Sequence, residues 1–223
     1  MTERVPALFV PGDCKTLEEA AERVKQDPRI TTIVLGKGEH QLKHFFFYIS
    51  SAMTIVGRPD VPKEDIVVVG GIWIMEGIQG NCHLQHLTLR QSYWSGVVGA
   101  SSFTMNDVLV EQCRCHGVSA SGTGVVGRCT NVEVRQCGLS GMVAYDGASI
   151  TLIGPKTTVH HNCTRGDSTE YGLKVGGSFS AIQLVPPLTE QQASTDNSGG
   201  GNWGVETDGD FTVHQTKTIA LRL

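Results

Sequence analysis

The chain has 223 residues, of which 39% are apolar and 18% charged, and 27 residues are glycine. A net charge of −4 without runs of like charge argues against nucleic-acid binding, because no basic excess is present to neutralise phosphates. The longest apolar stretch, between Phe45 and Gly57, is well short of the roughly 20 residues that span a bilayer. We therefore expect no membrane span and no nucleic-acid partner.

The N-terminus and the cysteines indicate in which cellular compartment the protein is expected. Glu3 and two prolines interrupt the N-terminus, so no secretory signal is visible there. The seven cysteines are an odd number and lack the paired spacing of a zinc site, so we predict free thiols and no metal site. Free thiols favour a cytoplasmic or nuclear location over secretion.

Residues 1–29 are predicted to form an N-terminal segment and a capping α-helix. Thr16 and Glu19 have capping-box spacing, and Pro28 marks the end of the helix. One apolar stripe follows helical spacing, at Leu17, Ala20, Ala21 and Val24. Such a helix would cover an open first coil, whose sheet edge would otherwise pair with other chains.

A repeat of 21 to 25 residues dominates residues 30–185. Four eight-residue blocks superpose, and they begin at Leu89, Val110, Val134 and Val159. Their fourth positions are small or amide residues that we expect to stack in one column, at Ser92, Cys113, Cys137 and Asn162. A second column precedes it, at Gln91, Gln112, Gln136 and His161. Because the flanking residues alternate with period 2, we predict an all-β fold, a single-stranded right-handed parallel β-helix solenoid with an N-terminal capping α-helix.

The sequence resembles the right-handed parallel β-helix of the pectin-lyase-like superfamily. Within that superfamily it is similar to the short repeats of carbohydrate-binding and sugar-hydrolase-type modules. Besides the four blocks, the resemblance is carried by the opening segments 16–21, 33–40 and 53–57. It implies the fold and leaves the function open, because this architecture hosts lyases, hydrolases, epimerases, binding modules and viral appendage parts.

The C-terminal part of the chain departs from the repeat. Pro186 and Pro187 interrupt it, and residues 186–210 are predicted to form a polar, glycine-rich loop. Apolar residues alternate again in residues 211–223, which we predict to form a C-terminal strand or lid.

Our first functional hypothesis is a non-catalytic binding or scaffold protein. An exposed sheet face with aliphatic and aromatic groups and little charge would contact a protein or glycan. The candidate binding residues are the outward positions after each glycine and the aromatic turn beside them, namely Tyr93, Trp94, Val98, Val143, Tyr145 and Lys174. This hypothesis requires no cofactor.

The alternative is a polysaccharide lyase, hydrolase or epimerase. The resemblance implies clustered carboxylates with Arg or Lys, and a lyase would add Ca²⁺. Only one insertion brings such groups together, so the catalytic candidates are Arg165, Asp167, Glu170 and Lys174. His116 lies in a partial match to a polygalacturonase motif, but the accompanying acids are missing. A further alternative is a coat, fibre or appendage component that self-associates as a homo-oligomer.

Overall fold

The computed structural model of the protein describes residues 6–206, in which strands predominate. Its helices are α1 (Leu17–Gln26), α2 (Glu190–Ala193) and a 3-10 turn, Lys63–Asp65. The strands are β1 (Ala7–Val10), β2 (Thr32–Leu35), β3 (Gly38–Ile49), β4 (Thr54–Gly57), β5 (Ile66–Ile74), β6 (Cys82–Arg90), β7 (Val97–Gly99), β8 (Phe103–Glu111), β9 (Val118–Ser121), β10 (Val126–Thr130), β11 (Glu133–Arg135), β12 (Met142–Tyr145), β13 (Ser149–Ile153), β14 (Thr158–His160), β15 (Leu173–Gly176), β16 (Ala181–Leu184), β17 (Ser194–Thr195) and β18 (Trp203–Glu206).

The strands stack into three parallel sheets that together make a solenoid of about six turns. The first sheet contains β1, β2, β4, the first halves of β6 and β8, β10, β13 and β16. The second contains the first halves of β3 and β5, the second halves of β6 and β8, β11, β14 and β17. The third contains the second halves of β3 and β5, then β7, β9, β12, β15 and β18. The predicted fold class is confirmed.

The interior of the solenoid is filled by side chains that repeat at one position per turn. In the first sheet Ile33, Ile55 and Leu84 pair in register and are fully buried. Each such aliphatic side chain contributes roughly 1.5 to 3 kcal/mol through burial. Because side chains alternate along a strand, the intervening positions of each sheet point outward.

Helix α1 covers the N-terminal end of this interior. The Thr16 hydroxyl accepts a hydrogen bond from the Glu19 backbone N–H, as the capping spacing predicts. The apolar stripe is buried, and the helix contacts β1, β2 and β3. Strand β1 pairs with β2, so the first sheet begins at Ala7, ahead of the helix.

The two predicted columns form the corner between the second and third sheets. Gln91, Gln112, Gln136 and His161 all have left-handed backbone conformations, with φ between 55° and 57°. The next residue in each turn, at Ser92, Cys113, Cys137 and Asn162, is buried. The backbone reversal at this corner explains why one amide or imidazole side chain and then one small residue recur in every block.

The same corner occurs a fifth time, in a segment that we expected to be a loop. Val159 pairs with Ser194, Asp196 takes the left-handed conformation, and Asn197 accepts a hydrogen bond from the Asn162 backbone N–H. We expected residues 186–210 to form a loop. The described part of this segment, which ends at Glu206, instead contains α2, β17 and β18 and so continues the solenoid. Residues 207–210 and the predicted strand or lid 211–223 lie outside the described residues.

Candidate functional site

Exposed aromatic side chains occupy the outer face of the third sheet at its N-terminal end. Tyr48 of β3 pairs in register with Trp73 of β5, and Trp73 pairs with Val98 of β7. Tyr48 is 52% exposed and Trp73 36% exposed, and their rings stack at a centroid distance of 6.1 Å. Aromatic surface of this size is costly to leave in water, which marks this face as a candidate interaction site.

Phe46 forms the buried base of this aromatic row. It lies opposite Gly71, and its ring meets Trp73 edge to face at a centroid distance of 5.3 Å. The register between β3 and β5 shifts between Gln41 and Phe46, where β3 bulges. This irregularity leaves Phe45 exposed beside the row.

Tyr93 and Trp94 form the turn before β7. The rings of Tyr93 and Trp94 meet edge to face at 5.5 Å, and Phe45 stacks on Tyr93 at 4.8 Å. The guanidinium carbon of Arg114 lies over the Tyr93 ring, 4.5 Å from its centroid. Contacts with Phe45 and Arg114 therefore hold Tyr93 in place, while Trp94 remains 49% exposed.

These aromatic rings line an open cleft of about 670 Å³, which we call the aromatic cleft. It is lined by His44, Phe45, Phe46, Tyr48, Trp73, Trp94, Ser95 and Val98. A second cavity of about 390 Å³ shares His44 and Phe45 with it, and adds the polar groups of Gln41, Lys43 and Gln91 beside Tyr93. Largely apolar walls with a few polar groups are typical of ligand sites, and both volumes fit a small ligand.

The candidate catalytic residues do not all come together. Glu170 and Lys174 form an ion pair, with Lys174 Nζ 2.9 Å from a Glu170 oxygen, and Lys174 also lies 3.1 Å from Glu206. Asp167 instead accepts hydrogen bonds from the backbone and hydroxyl of Thr169. Arg165 makes no ion pair within residues 6–206. Of the four catalytic candidates, the structure thus brings only Glu170 and Lys174 into contact.

The Glu170–Lys174 pair is enclosed in the protein. Glu170 is 8% and Lys174 2% exposed. Burial alone would raise the pKa of Glu170, but hydrogen bonds from Ser140 and Lys174 outweigh it and lower that pKa. Burial opposes the charge of Lys174 as well, yet Glu170 and Glu206 hold its pKa above the usual value. Both groups therefore stay charged, and each is held in the ion pair with the other.

His116 lies beside this pair. Its Nδ1 is 3.6 Å from Glu170 and, within the described residues, this buried nitrogen has no hydrogen-bond partner. Burial lowers the pKa of His116, although the Glu170 carboxylate opposes that shift. The incomplete motif around His116 does not predict this contact, which arises from the way the chain folds.

Three candidate binding residues differ from the expected exposed face. Val143 points outward but is fully buried, and Lys174, its partner in register, is buried with Glu170. Tyr145 is partly buried, with its ring over Gly176 and near His116. Glu170, which belongs to the inserted segment, covers Lys174 through their ion pair. Of the six candidates, Trp94 and Val98 line the aromatic cleft and Tyr93 lines the second cavity.

Most of the residues that line the aromatic cleft are absent from the predicted binding set. Phe45, Phe46, Tyr48 and Trp73 lie in turns that precede the first aligned block, so their register was unknown. The sequence does hold one signal for this site. Phe46 and Tyr48 are two residues apart, which places both side chains on the same face of a strand, and Gly71 and Trp73 have the same spacing in the next strand.

Within residues 6–206, no three His, Cys, Asp or Glu side chains converge on a point where they could hold a metal. Neither helix in this part of the chain has the length and apolar character needed to cross a bilayer. All seven cysteines are free. Comparison with protein-family models, curated proteins and solved structures returns no match.

Proposed function

We propose that the protein is a non-catalytic glycan-binding module whose ligand occupies the aromatic cleft. The observation that carries this proposal is the row of exposed rings from Tyr48, Trp73 and Trp94 around one open cleft. A sugar ring has an apolar face of C–H groups and a rim of hydroxyls. The apolar face can stack on an aromatic ring while the hydroxyls reach polar groups nearby.

The second cavity supplies such polar groups. Gln41 and Gln91 line it next to Phe45, which also lines the aromatic cleft. Side-chain amides can both donate to and accept from hydroxyls, so they suit a ligand with many of them. An oligosaccharide that follows both cavities would combine stacking with directional hydrogen bonds, without a metal or cofactor.

A short ligand fits this site better than a broad protein surface. Along the outer row of the third sheet, Val98 is followed by Ser119 and then by the fully buried Val143. The exposed aromatic patch therefore ends after about three strands. A standard protein interface buries about 800 Å² on each partner, which favours a wider and flatter surface than this cleft.

The enzyme alternative has less support. Glu170 and Lys174 neutralise each other in an enclosed network, and Asp167 is bonded within its own turn. A general acid or base must reach the proton that it transfers, so an enclosed pair is poorly placed for that role. We also propose that the chain belongs to the pectin-lyase-like superfamily, on the basis of its parallel solenoid, its helix over the first turn and the opening segments.

A glycan array tests the binding proposal. We expect the purified protein to be retained by a subset of immobilised oligosaccharides and Trp73→Ala to weaken that retention by about tenfold, or about 1.4 kcal/mol. The matched control is Phe9→Ala, which removes another exposed aromatic ring from the first sheet, away from the cleft. Retention that is unchanged in Trp73→Ala, or absent for every glycan, would overturn the proposal.

A further inference from the structure

We infer that His160 and His161 together bind a copper(II) ion, to which each contributes its Nδ1 atom. The pair lies at the corner between the second and third sheets, three turns beyond Gln91 in the same column, and so is separate from the aromatic cleft. Three observations support this site: the convergence of the two imidazoles, the hydrogen bond that orients one of them, and the charges around them.

The backbone brings the two imidazoles together. Adjacent side chains in a strand point to opposite faces, so two consecutive histidines do not by themselves form a pair. Strand β14 ends at His160, and His161 takes the left-handed conformation of the corner, with a φ of 55°. The His161 side chain therefore turns toward His160, and the two Nδ1 atoms lie 2.7 Å apart.

Glu133 fixes the position of the proton on His160. A Glu133 carboxylate oxygen lies 3.2 Å from His160 Nε2, and a carboxylate only accepts hydrogen bonds, so this nitrogen carries the proton. The Nδ1 atom of the neutral ring then offers a lone pair, which accepts a hydrogen bond from His161 Nδ1–H. Histidines that ligate metals usually donate from their second nitrogen to a carboxylate in this way.

Copper binding requires one proton to change place. The His161 ring is exposed, so its Nδ1 proton can pass through water to Nε2 of the same ring. Both Nδ1 lone pairs then face the ion, and no net proton is released from the two neutral rings. Water completes the coordination, because no third His, Cys, Asp or Glu side chain in residues 6–206 converges on the pair.

The spacing of the two nitrogens favours copper over zinc. Imidazole nitrogens lie roughly 2.0 Å from a bound metal, so adjacent ligands are roughly 2.8 Å apart around a square-planar ion and roughly 3.3 Å apart around a tetrahedral one. The observed 2.7 Å matches the square-planar arrangement, which is typical of Cu²⁺. Cu²⁺ also binds a given set of nitrogen ligands more tightly than the other divalent first-row ions.

The charges around the pair suit a divalent cation. Asp196 occupies the position of His161 in the following turn, has the same left-handed conformation and is exposed. Its backbone is one strand spacing away, about 4.8 Å, and its carboxylate forms no ion pair within the described part of the chain. Arg135, which pairs in register with His160, is neutralised by Glu111 at 2.8 Å.

Calorimetric titration of the full chain with Cu²⁺ tests the site. We expect one ion per chain, bound at least tenfold more tightly than by His161→Gln, and an electron paramagnetic resonance spectrum split by two imidazole nitrogens. Glutamine has the same left-handed conformation at Gln112 and Gln136, so this substitution suits the backbone. The matched control is His44→Gln, which removes an exposed imidazole from β3. Cys115→Ser controls for copper binding by the one partly exposed thiol.

The variants separate the histidine pair from other copper ligands. Tight binding that persists in His161→Gln, or that is lost in His44→Gln or Cys115→Ser, would overturn the inference. Affinity for Zn²⁺ equal to that for Cu²⁺ would overturn it as well. His160→Gln should show the same tenfold loss, and it replaces His161→Gln if that variant does not fold. Glycan retention is measured separately, so its failure would leave the copper site unaffected.

Discussion

The ring of Phe46 occupies the space that a side chain at Gly71 would need. A Cβ built on Gly71 would lie 2.7 Å from the Phe46 ring and 2.5 Å from the Ser95 carbonyl oxygen. Both distances are too short for a carbon atom. The base of the aromatic cleft therefore depends on glycine at this position, and Trp73 depends in turn on Phe46 for its edge-to-face contact.

Gly71→Ala should destabilise the protein and weaken ligand binding together. The added methyl must displace Phe46 or the backbone at Ser95, and overpacking of this kind costs about 1 to 3 kcal/mol. Urea denaturation measures the change in the free energy of unfolding. Gly36→Ala is the control, because the nearest atoms to its Cβ would lie at an ordinary 3.5 Å. Equal stability of the two variants would show that the Phe46 side chain can move aside without a measurable cost in unfolding free energy.

Lys174→Met should loosen the inserted segment that carries Glu170. The methionine has a similar length but leaves the enclosed Glu170 carboxylate without its cation, a loss that costs about 3 kcal/mol in buried pairs. Urea denaturation and protease cleavage within residues 163–171 would report it. The comparison is Lys37→Met, whose ion pair with Asp65 is exposed and should matter little. Unchanged cleavage in Lys174→Met would contradict the idea.

His86 should make stability depend on pH in a defined direction. Its ring nitrogens lie 2.6 Å from an Asp107 oxygen and 2.8 Å from the Val61 carbonyl. Burial opposes the charged ring, but these hydrogen bonds outweigh it and raise the pKa of His86. The unfolded chain loses this proton near its ordinary pKa of about 6.5, whereas the folded protein keeps it to higher pH. The stabilisation is therefore complete below about pH 6.5 and is lost as pH rises through the folded value.

His86→Gln isolates this effect. Glutamine occupies comparable left-handed corner positions elsewhere in the chain, so the substitution suits the backbone. The difference in unfolding free energy between the wild-type protein and the variant should be larger at about pH 6 than at about pH 9. A difference that stays constant across this range would show that the proton on His86 does not contribute.

Native thiols should react at one position out of seven. Six cysteines are buried and Cys115 is partly exposed. Burial raises the pKa of Cys129 and Cys163 to about 12 and also raises that of Cys115, so partial exposure to solvent is what distinguishes Cys115. Ellman's reagent at about pH 8 should therefore detect one thiol in the native protein and seven after denaturation. Cys115→Ser should abolish the native reaction, and rapid reaction of two or more thiols would refute this assignment.

The repeat of short blocks was sufficient to predict the fold, because one residue type per turn must satisfy one backbone geometry. The left-handed corner of Gln91, Gln112 and Gln136 is the clearest case. The same reasoning failed at Asp196, where the spacing from Val159 to Ser194 is longer than in the earlier turns. The residues inserted between Val159 and Ser194 make the repeat unrecognisable in the sequence, although the backbone conformation repeats.

The site was harder to predict for a different reason. The alternation of strands correctly assigns Val143 to the outer face, but it carries no information about what covers that face. The meeting of His116 with Glu170 likewise depends on how an insertion folds across several turns. Long-range placement of this kind does not follow from local periodicity.

The aromatic cleft and the Glu170–Lys174 network occupy different turns of the solenoid. The cleft draws on β3, β5 and β7, whereas the network draws on the chain around β12, β15 and β18. Each turn of a solenoid contacts only its neighbours, so its stability is approximately a sum of local terms. The turn that carries His116 lies between them, because it contacts Glu170 on one side and the turn of Trp94 on the other. A ligand bound in the aromatic cleft, as proposed, should therefore stabilise mainly the turns that hold it and the C-terminal turns much less.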